Sequence, residues 1–185
     1  MSFKYLISGI KNIISSSHYL IILSFLFLSC NNSTPTGVIQ NSSAKQEETD
    51  DFILINQKFV ELENEDIELF LKRHEWKMTQ TDTGLRYEIT KKEGKKNIEA
   101  GETVTLEYRT LLLDGNEIYN SKDNGVKQFV VDKSEEIGGL HEAVKLMSKG
   151  SEARLIIPSH LAYGVSGDGN KIKPYQTIIM KIKVI

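Results

Sequence analysis

The 185-residue chain has one cysteine, one tryptophan and three prolines. A lone cysteine excludes an intramolecular disulfide, so the fold must stand on its core. Three prolines exclude collagen-like and polyproline architectures. No charge sign dominates. Against 25 Asp plus Glu stand 23 Lys plus Arg, a net charge of −2. The basic surplus of a nucleic-acid binder is missing. No apolar run reaches the ~20 residues that span a bilayer. His18, His74, His141 and His160 have neither HExxH spacing nor cysteine company, so neither a metal nor a cofactor is expected. No Gly-x-Ser-x-Gly elbow occurs. The glycine-rich stretch 164–171 lacks the Gly-Lys-Ser/Thr ending of a phosphate loop, and reads as a flexible loop between two strands. What is present is ordinary for a globular protein: 39% apolar and 26% charged residues.

Residues 1–29 contain no acid and carry Lys4 and Lys11. Tyr19 to Leu23 and Phe25 to Leu28, with Ser24 between, have the length and flanks of a secretory apolar segment. It ends in Phe27-Leu28-Ser29-Cys30, which resembles the bacterial lipobox, although Phe27 stands where that pattern usually has Leu. A lone cysteine is most often a buried thiol. The following Asn31-Asn32-Ser33-Thr34-Pro35 fits no core, so Cys30 is predicted to carry the lipid. The expected organisation is a lipoprotein signal peptide over 1–29, a lipid-anchored tether over 30–60, an amphipathic helix and turn over 61–84, and a folded domain over 85–185 with its core in 100–185. Residues 31–51 are too polar to offset their ordering entropy.

A helix is predicted over 64–76. Asn64 serves as its cap, Glu65 and Asp66 lie in the first turn, and Lys72, Arg73 and His74 in the last. Ile67, Phe70, Leu71 and His74 share a face. Asp82-Thr83-Gly84 is a turn. Strands follow from Leu85. In 103–113, Val104, Leu106, Tyr108 and Leu112 alternate with polar residues. Asp114-Gly115 signals a hairpin, and 117–121 and 128–132 are short strands. A short helix is predicted over 140–148, closed by Gly150. Ala153, Leu155 and Ile157 point one way in the next strand, and Ile178, Met180, Ile182 and Val184 in the last. Charge divides unevenly. Residues 30–84 hold 5 basic and 11 acidic residues, and residues 85–185 hold 16 and 14. The acids read as a solvated tether and helix face. The residues alone thus describe a lipid-anchored antiparallel α+β domain.

Six segments carry a more specific resemblance: Gly101-Glu-Thr-Val-Thr-Leu-Glu-Tyr108, Leu113-Asp-Gly115, Ile137-Gly-Gly-Leu140, Met147-Ser-Lys-Gly150, Ile157-Pro-Ser-His-Leu-Ala-Tyr-Gly164 and Ile172-Lys-Pro174. In order and spacing, 85–185 resembles the FK506-binding-protein class of peptidyl-prolyl cis-trans isomerases. The acidic helix and the Gly84-Leu85 entry further resemble the lipoprotein isomerases associated with gliding motility. The resemblance implies a curved antiparallel sheet wrapped around one short helix, with the N-terminal helix outside the core. It also implies an apolar pocket for proline. By position, Tyr108, Ile137 and Tyr163 match the catalytic residues, Ile137 offering its backbone N–H to a substrate carbonyl. Ile118, Tyr119, Phe129, Leu140, Ile172 and Met180 match the pocket wall. Leu140 stands where the family usually has Trp, Ile118-Tyr119 where it has Phe-Asp, and Lys127 where it has a pocket Phe.

The implied activity is rotation of Xaa-Pro bonds in exported or envelope proteins, and the narrower resemblance implies support of gliding motility. The alternative is a binding module that kept the fold without the rate. The implied partners are proline-containing polypeptides and, through Cys30, the membrane. The implied location is the cell envelope, on the outer membrane facing the periplasm.

Overall fold

The computed structural model describes the backbone from residue 42 and side chains from residue 53 to the C-terminus. The signal segment, Cys30 and the first part of the tether lie outside the described residues. Helix α1 spans Ser42–His74. Seven strands follow: β1 (Thr79–Gln80), β2 (Arg86–Lys91), β3 (Thr103–Leu112), β4 (Glu117–Asn120), β5 (Lys127–Val130), β6 (Glu152–Ile157) and β7 (Ile178–Val184). A one-turn helix α2 (Ser121–Asn124) joins β4 to β5, and helix α3 (Gly138–Lys145) joins β5 to β6.

The strands form one antiparallel sheet in the order β1-β2-β6-β7-β3-β4, with β5 also on β3. Strand β3 pairs with β7 along one edge, from Leu106 opposite Val184 to Leu112 opposite Ile178. Its other edge is shared. β5 takes Thr103–Leu106, and β4 takes Arg109–Leu111. In the gap, the Ser121 hydroxyl accepts the Tyr108 amide at 3.2 Å. Asn120 caps α2 by accepting the Lys122 and Asp123 amides, each at 2.9 Å.

Each face of the sheet has its own apolar cluster. On one, Leu140, Ala143 and Val144 of α3 pack against Val104, Leu106, Tyr108, Leu155, Met180 and Ile182. A Cβ on Gly139 would overlap the Ile157 side chain, so glycine lets α3 sit this close to β6. On the other face, Ile67 and Phe70 of α1 pack against Ile156 and Ile179. The N-terminal helix therefore lies outside the main core, as expected, and builds a second small one.

The double burial explains the runs Leu155-Ile156-Ile157 and Ile178-Ile179-Met180, of which alternation accounted for only one side. Three sequence expectations are corrected. The helix does not begin at Asn64. It begins at Ser42, so residues 42–60 of the expected tether are helical and Asn64 is interior. The inner helix runs Gly138–Lys145 instead of 140–148, and Leu146 is its C-terminal cap. Gly150, at φ 83°, serves the turn before β6 instead.

Polar contacts dock α1 onto the domain. Glu63 accepts the Ser159 amide at 2.7 Å, the Ser159 hydroxyl at 3.0 Å and the Thr177 hydroxyl at 2.5 Å. Arg86, only 2% exposed, donates to Glu68 at 2.9 Å, to the Gly84 carbonyl at 3.0 Å and to Asn64. A buried guanidinium requires such partners, since an unpaired charge there would be costly.

Candidate active site

The apolar cluster between the sheet and α3 contains every residue that the sequence nominated for the pocket. Tyr108, Phe129, Ile137, Leu140, Ile172 and Met180 are buried in it, and Ile118, Tyr119 and Tyr163 pack against it half-buried. Alternation in β3 turns Tyr108 inward. β4 presents Ile118 and Tyr119, β5 Phe129, and β7 Met180. Ile137 is the residue on which α3 starts, and Leu140 follows in its first turn, fully buried. A 3-10 turn, Ser159–Leu161, delivers Tyr163. The Gly164 amide donating to the Ser159 carbonyl at 2.8 Å fixes that delivery.

The loop after Tyr163 is closed on itself, which corrects its reading as a flexible connection. Asp168 accepts the Asn170 amide at 2.9 Å and the Ile172 amide at 2.8 Å, and returns its own amide to the Ile172 carbonyl at 3.0 Å. Gly167, at φ 66°, has no room for a Cβ beside that carbonyl. The closed loop holds Ile172 buried against the cluster.

Two further bonds staple the loop to β4. The Tyr119 hydroxyl donates to Asp168 at 2.5 Å, and Lys171 donates to the Ile118 carbonyl at 2.8 Å. Sequence reasoning missed Asp168, because Asp-Gly-Asn signals only a turn and its partner lies 49 residues away.

Electrostatics at the site keeps the phenols neutral. Burial, followed by the charges of Glu136 and Asp168, pushes Tyr163 up to about 12. The bond to Asp168, then burial, raises Tyr119. Burial pushes the Asp168 carboxyl up, but the Tyr119 hydroxyl and the loop amides outweigh it and hold it below its ordinary value. The Tyr163 hydroxyl has no hydrogen-bond partner among the described residues and is available as a donor.

Lys127 projects its ammonium 5.5 Å above the Tyr108 ring and pairs with Glu136 at 2.8 Å. Glu136 also accepts the Ile137 amide at 3.0 Å. A separate groove of about 760 Å³, lined by Ile53, Val60, Ile67, Arg86 and His160 among others, contains none of the nine nominated residues.

Chemically, the cluster is an apolar wall edged by a neutral phenol donor and a backbone N–H. It has no activated nucleophile and no His–carboxylate pair. Such a surface can hold an apolar ring and orient a carbonyl.

Residues 94–185 match the family described as FKBP-type peptidyl-prolyl cis-trans isomerase. The chain is 38% identical over 120 residues to a probable FKBP-type isomerase, FkpA, of Neisseria meningitidis, covering 64% of this chain and 44% of that protein. It is 35% identical over 103 residues to the outer membrane protein MIP of Legionella longbeachae, covering 56% of this chain and 44% of that one. It is 31% identical over 166 residues to the macrophage infectivity potentiator of Trypanosoma cruzi, covering 89% of this chain and 79% of that one. The chain therefore spans less than half the length of the first two. Among solved structures, FkpA of Escherichia coli superposes with a TM-score of 0.59 at 24% identity, over 84% of this chain and 73% of that one. That likeness is one of fold.

Proposed function

The chain belongs to the FKBP-type peptidyl-prolyl cis-trans isomerase family, and from that premise we propose that it accelerates Xaa-Pro bond rotation in cell-envelope proteins while anchored to the membrane by lipid at Cys30. The convergence of Tyr108, Ile137, Tyr163 and the six wall residues on one cluster carries the reading.

Amide resonance sets a barrier of ~18–20 kcal/mol to rotation. Uncatalysed exchange accordingly takes tens of seconds or longer. The twisted amide has lost resonance and is less dipolar than the planar one. An apolar wall therefore disfavours the ground state more than the transition state, which is the differential binding that catalysis requires. Leu140 and Met180, both fully buried, underlie the half-buried Ile118, Tyr119 and Tyr163, on which a proline ring would rest. The Tyr163 hydroxyl and the Ile137 N–H orient the rotating carbonyl.

The envelope setting rests on the apolar segment ending at Cys30, and the outer-membrane name of the Legionella relative agrees with it. The resemblance to gliding-associated lipoproteins extends the proposed clients to that machinery. The test is the cis-to-trans rate of a short Xaa-Pro peptide with the full chain in detergent. Acceleration that grows in proportion to protein concentration is expected. A rate equal to the uncatalysed one leaves only a binding module.

A further inference from the structure

The Ile137 N–H is already engaged. Glu136 accepts it through one carboxylate oxygen at 3.0 Å, and its other oxygen accepts from Lys127 at 2.8 Å. The pair is inset at the pocket edge, with side-chain exposures of 27% for Lys127 and 13% for Glu136. Lys127 lies over the Tyr108 ring, and the Glu136 charge is felt at the Tyr163 hydroxyl. The carboxylate oxygen thus sits on the amide that a substrate carbonyl would use. In the pattern that the pocket otherwise follows, the Lys127 position is a Phe.

We propose that Glu136 is a resident competitor for the substrate carbonyl, and that Lys127 is the pivot on which its carboxylate turns aside. The inference rests on reading Ile137 as the amide that binds substrate. A charge-assisted bond is roughly twice as strong as a neutral one. A peptide carbonyl therefore displaces the carboxylate only when other contacts, above all a proline ring on the apolar wall, add to its own hydrogen bond. Lys127 stays paired throughout, so displacement does not strand a half-buried charge. The competitor weakens binding of the planar and twisted amide alike. Its effect belongs in KM and not in kcat. A carboxylate that merely capped α3 would affect stability and leave KM alone.

The experiment is steady-state kinetics on a Xaa-Pro peptide with the full chain in detergent, comparing wild type with Glu136→Ala, Glu136→Gln and Lys127→Met. Freeing the amide in Glu136→Ala is expected to lower KM about five- to tenfold with kcat within about twofold, the range that losing one charge-assisted competitor allows. Glu136→Gln, which keeps an acceptor without its charge, falls between. Lys127→Met raises KM, because an unpaired carboxylate holds the amide harder. A KM in folded Glu136→Ala or Glu136→Gln equal to or above the wild-type value overturns the proposal. Peptide titration followed at the Ile137 amide resonance separates this inference from the catalytic reading. If wild type binds peptide without turnover, the catalytic reading fails. Tighter peptide binding in Glu136→Ala then still supports the competitor, and equal binding rejects it.

Discussion

The Tyr163 hydroxyl is held neutral by burial and by the negative charges of Glu136 and Asp168, which together push it up to about 12. It therefore remains a proton donor across physiological pH. The rate is expected to be flat from about pH 6 to 8, since no group in the proposed step changes charge there. A bell-shaped profile in that window would show that a titrating side chain takes part. Tyr163→Phe removes one oriented hydrogen bond and should cost ~0.5–1.5 kcal/mol, a loss of up to about tenfold in kcat/KM. The same shifts act on stability. Folded Tyr163 and Tyr119 keep protons that the unfolded chain releases near pH 10, so their contribution is complete below about pH 10. It is lost as pH rises through about 12 at Tyr163. Unfolding midpoints measured between neutral pH and pH 11 should therefore fall on the alkaline side. Asp168→Ala tests the loop staple. It should lower the melting temperature by a few degrees, raise KM as Ile172 loses its hold, and return the Tyr119 phenol toward its ordinary value in an ultraviolet titration. An unmoved phenol would mean that Asp168 does not govern Tyr119.

At the scale of elements, α1 is tied to the loop that delivers Tyr163. Glu63 reaches Ser159 across 96 residues of sequence. Glu63→Ala leaves the Ser159 amide, the Ser159 hydroxyl and the Thr177 hydroxyl without their acceptor. That should cost ~1–3 kcal/mol, measured as a lower urea midpoint with unchanged slope. Removing α1 altogether also uncovers Ile156 and Ile179 and strips Glu68 and Asn64 from Arg86. Each lost burial of Ile67 or Phe70 is worth ~1.5–3 kcal/mol. A fragment starting at Gly84 should fold but melt well below the longer chain. Equal midpoints would show that the second cluster contributes nothing. This part of the architecture was the least legible in the sequence. Alternation located the inward residues of β3 and β7 because one face of each is far more apolar than the other. It could not assign Ile156 and Ile179, since a strand buried on both faces has no period-2 contrast. The start of α1 was hidden for a different reason. Residues 42–51 are polar, and Ile53, Leu54 and Ile55 are exposed side by side, so no single stripe marks the helix. At the site, the motif segments hold five of the nine nominated residues, Tyr108, Ile137, Leu140, Tyr163 and Ile172, and the other four were nominated by position between and after those segments. Asp168 escaped because its Tyr119 partner is set by how the loop closes, and Glu136 because nothing in the sequence pairs it with Lys127 across the turn.

For the whole molecule, a chain of near-neutral charge has little electrostatic reason to stay at an anionic membrane: its net charge is −2. Among the described residues, no helix is long and apolar enough to cross a bilayer. A covalent lipid and another protein are two sources of attachment that experiment can separate. The sequence places a single thiol at the end of an apolar segment, directly before a polar stretch that no core would hold. Cys30→Ser separates the two sources of attachment. If the lipid is the anchor, the variant loses its acyl label and either appears in the soluble fraction or accumulates as unprocessed precursor, while peptide isomerisation by the soluble form matches wild type. If wild type takes up no lipid label and the variant still sediments with membranes, a protein partner holds the chain there, and lipidation at Cys30 is wrong.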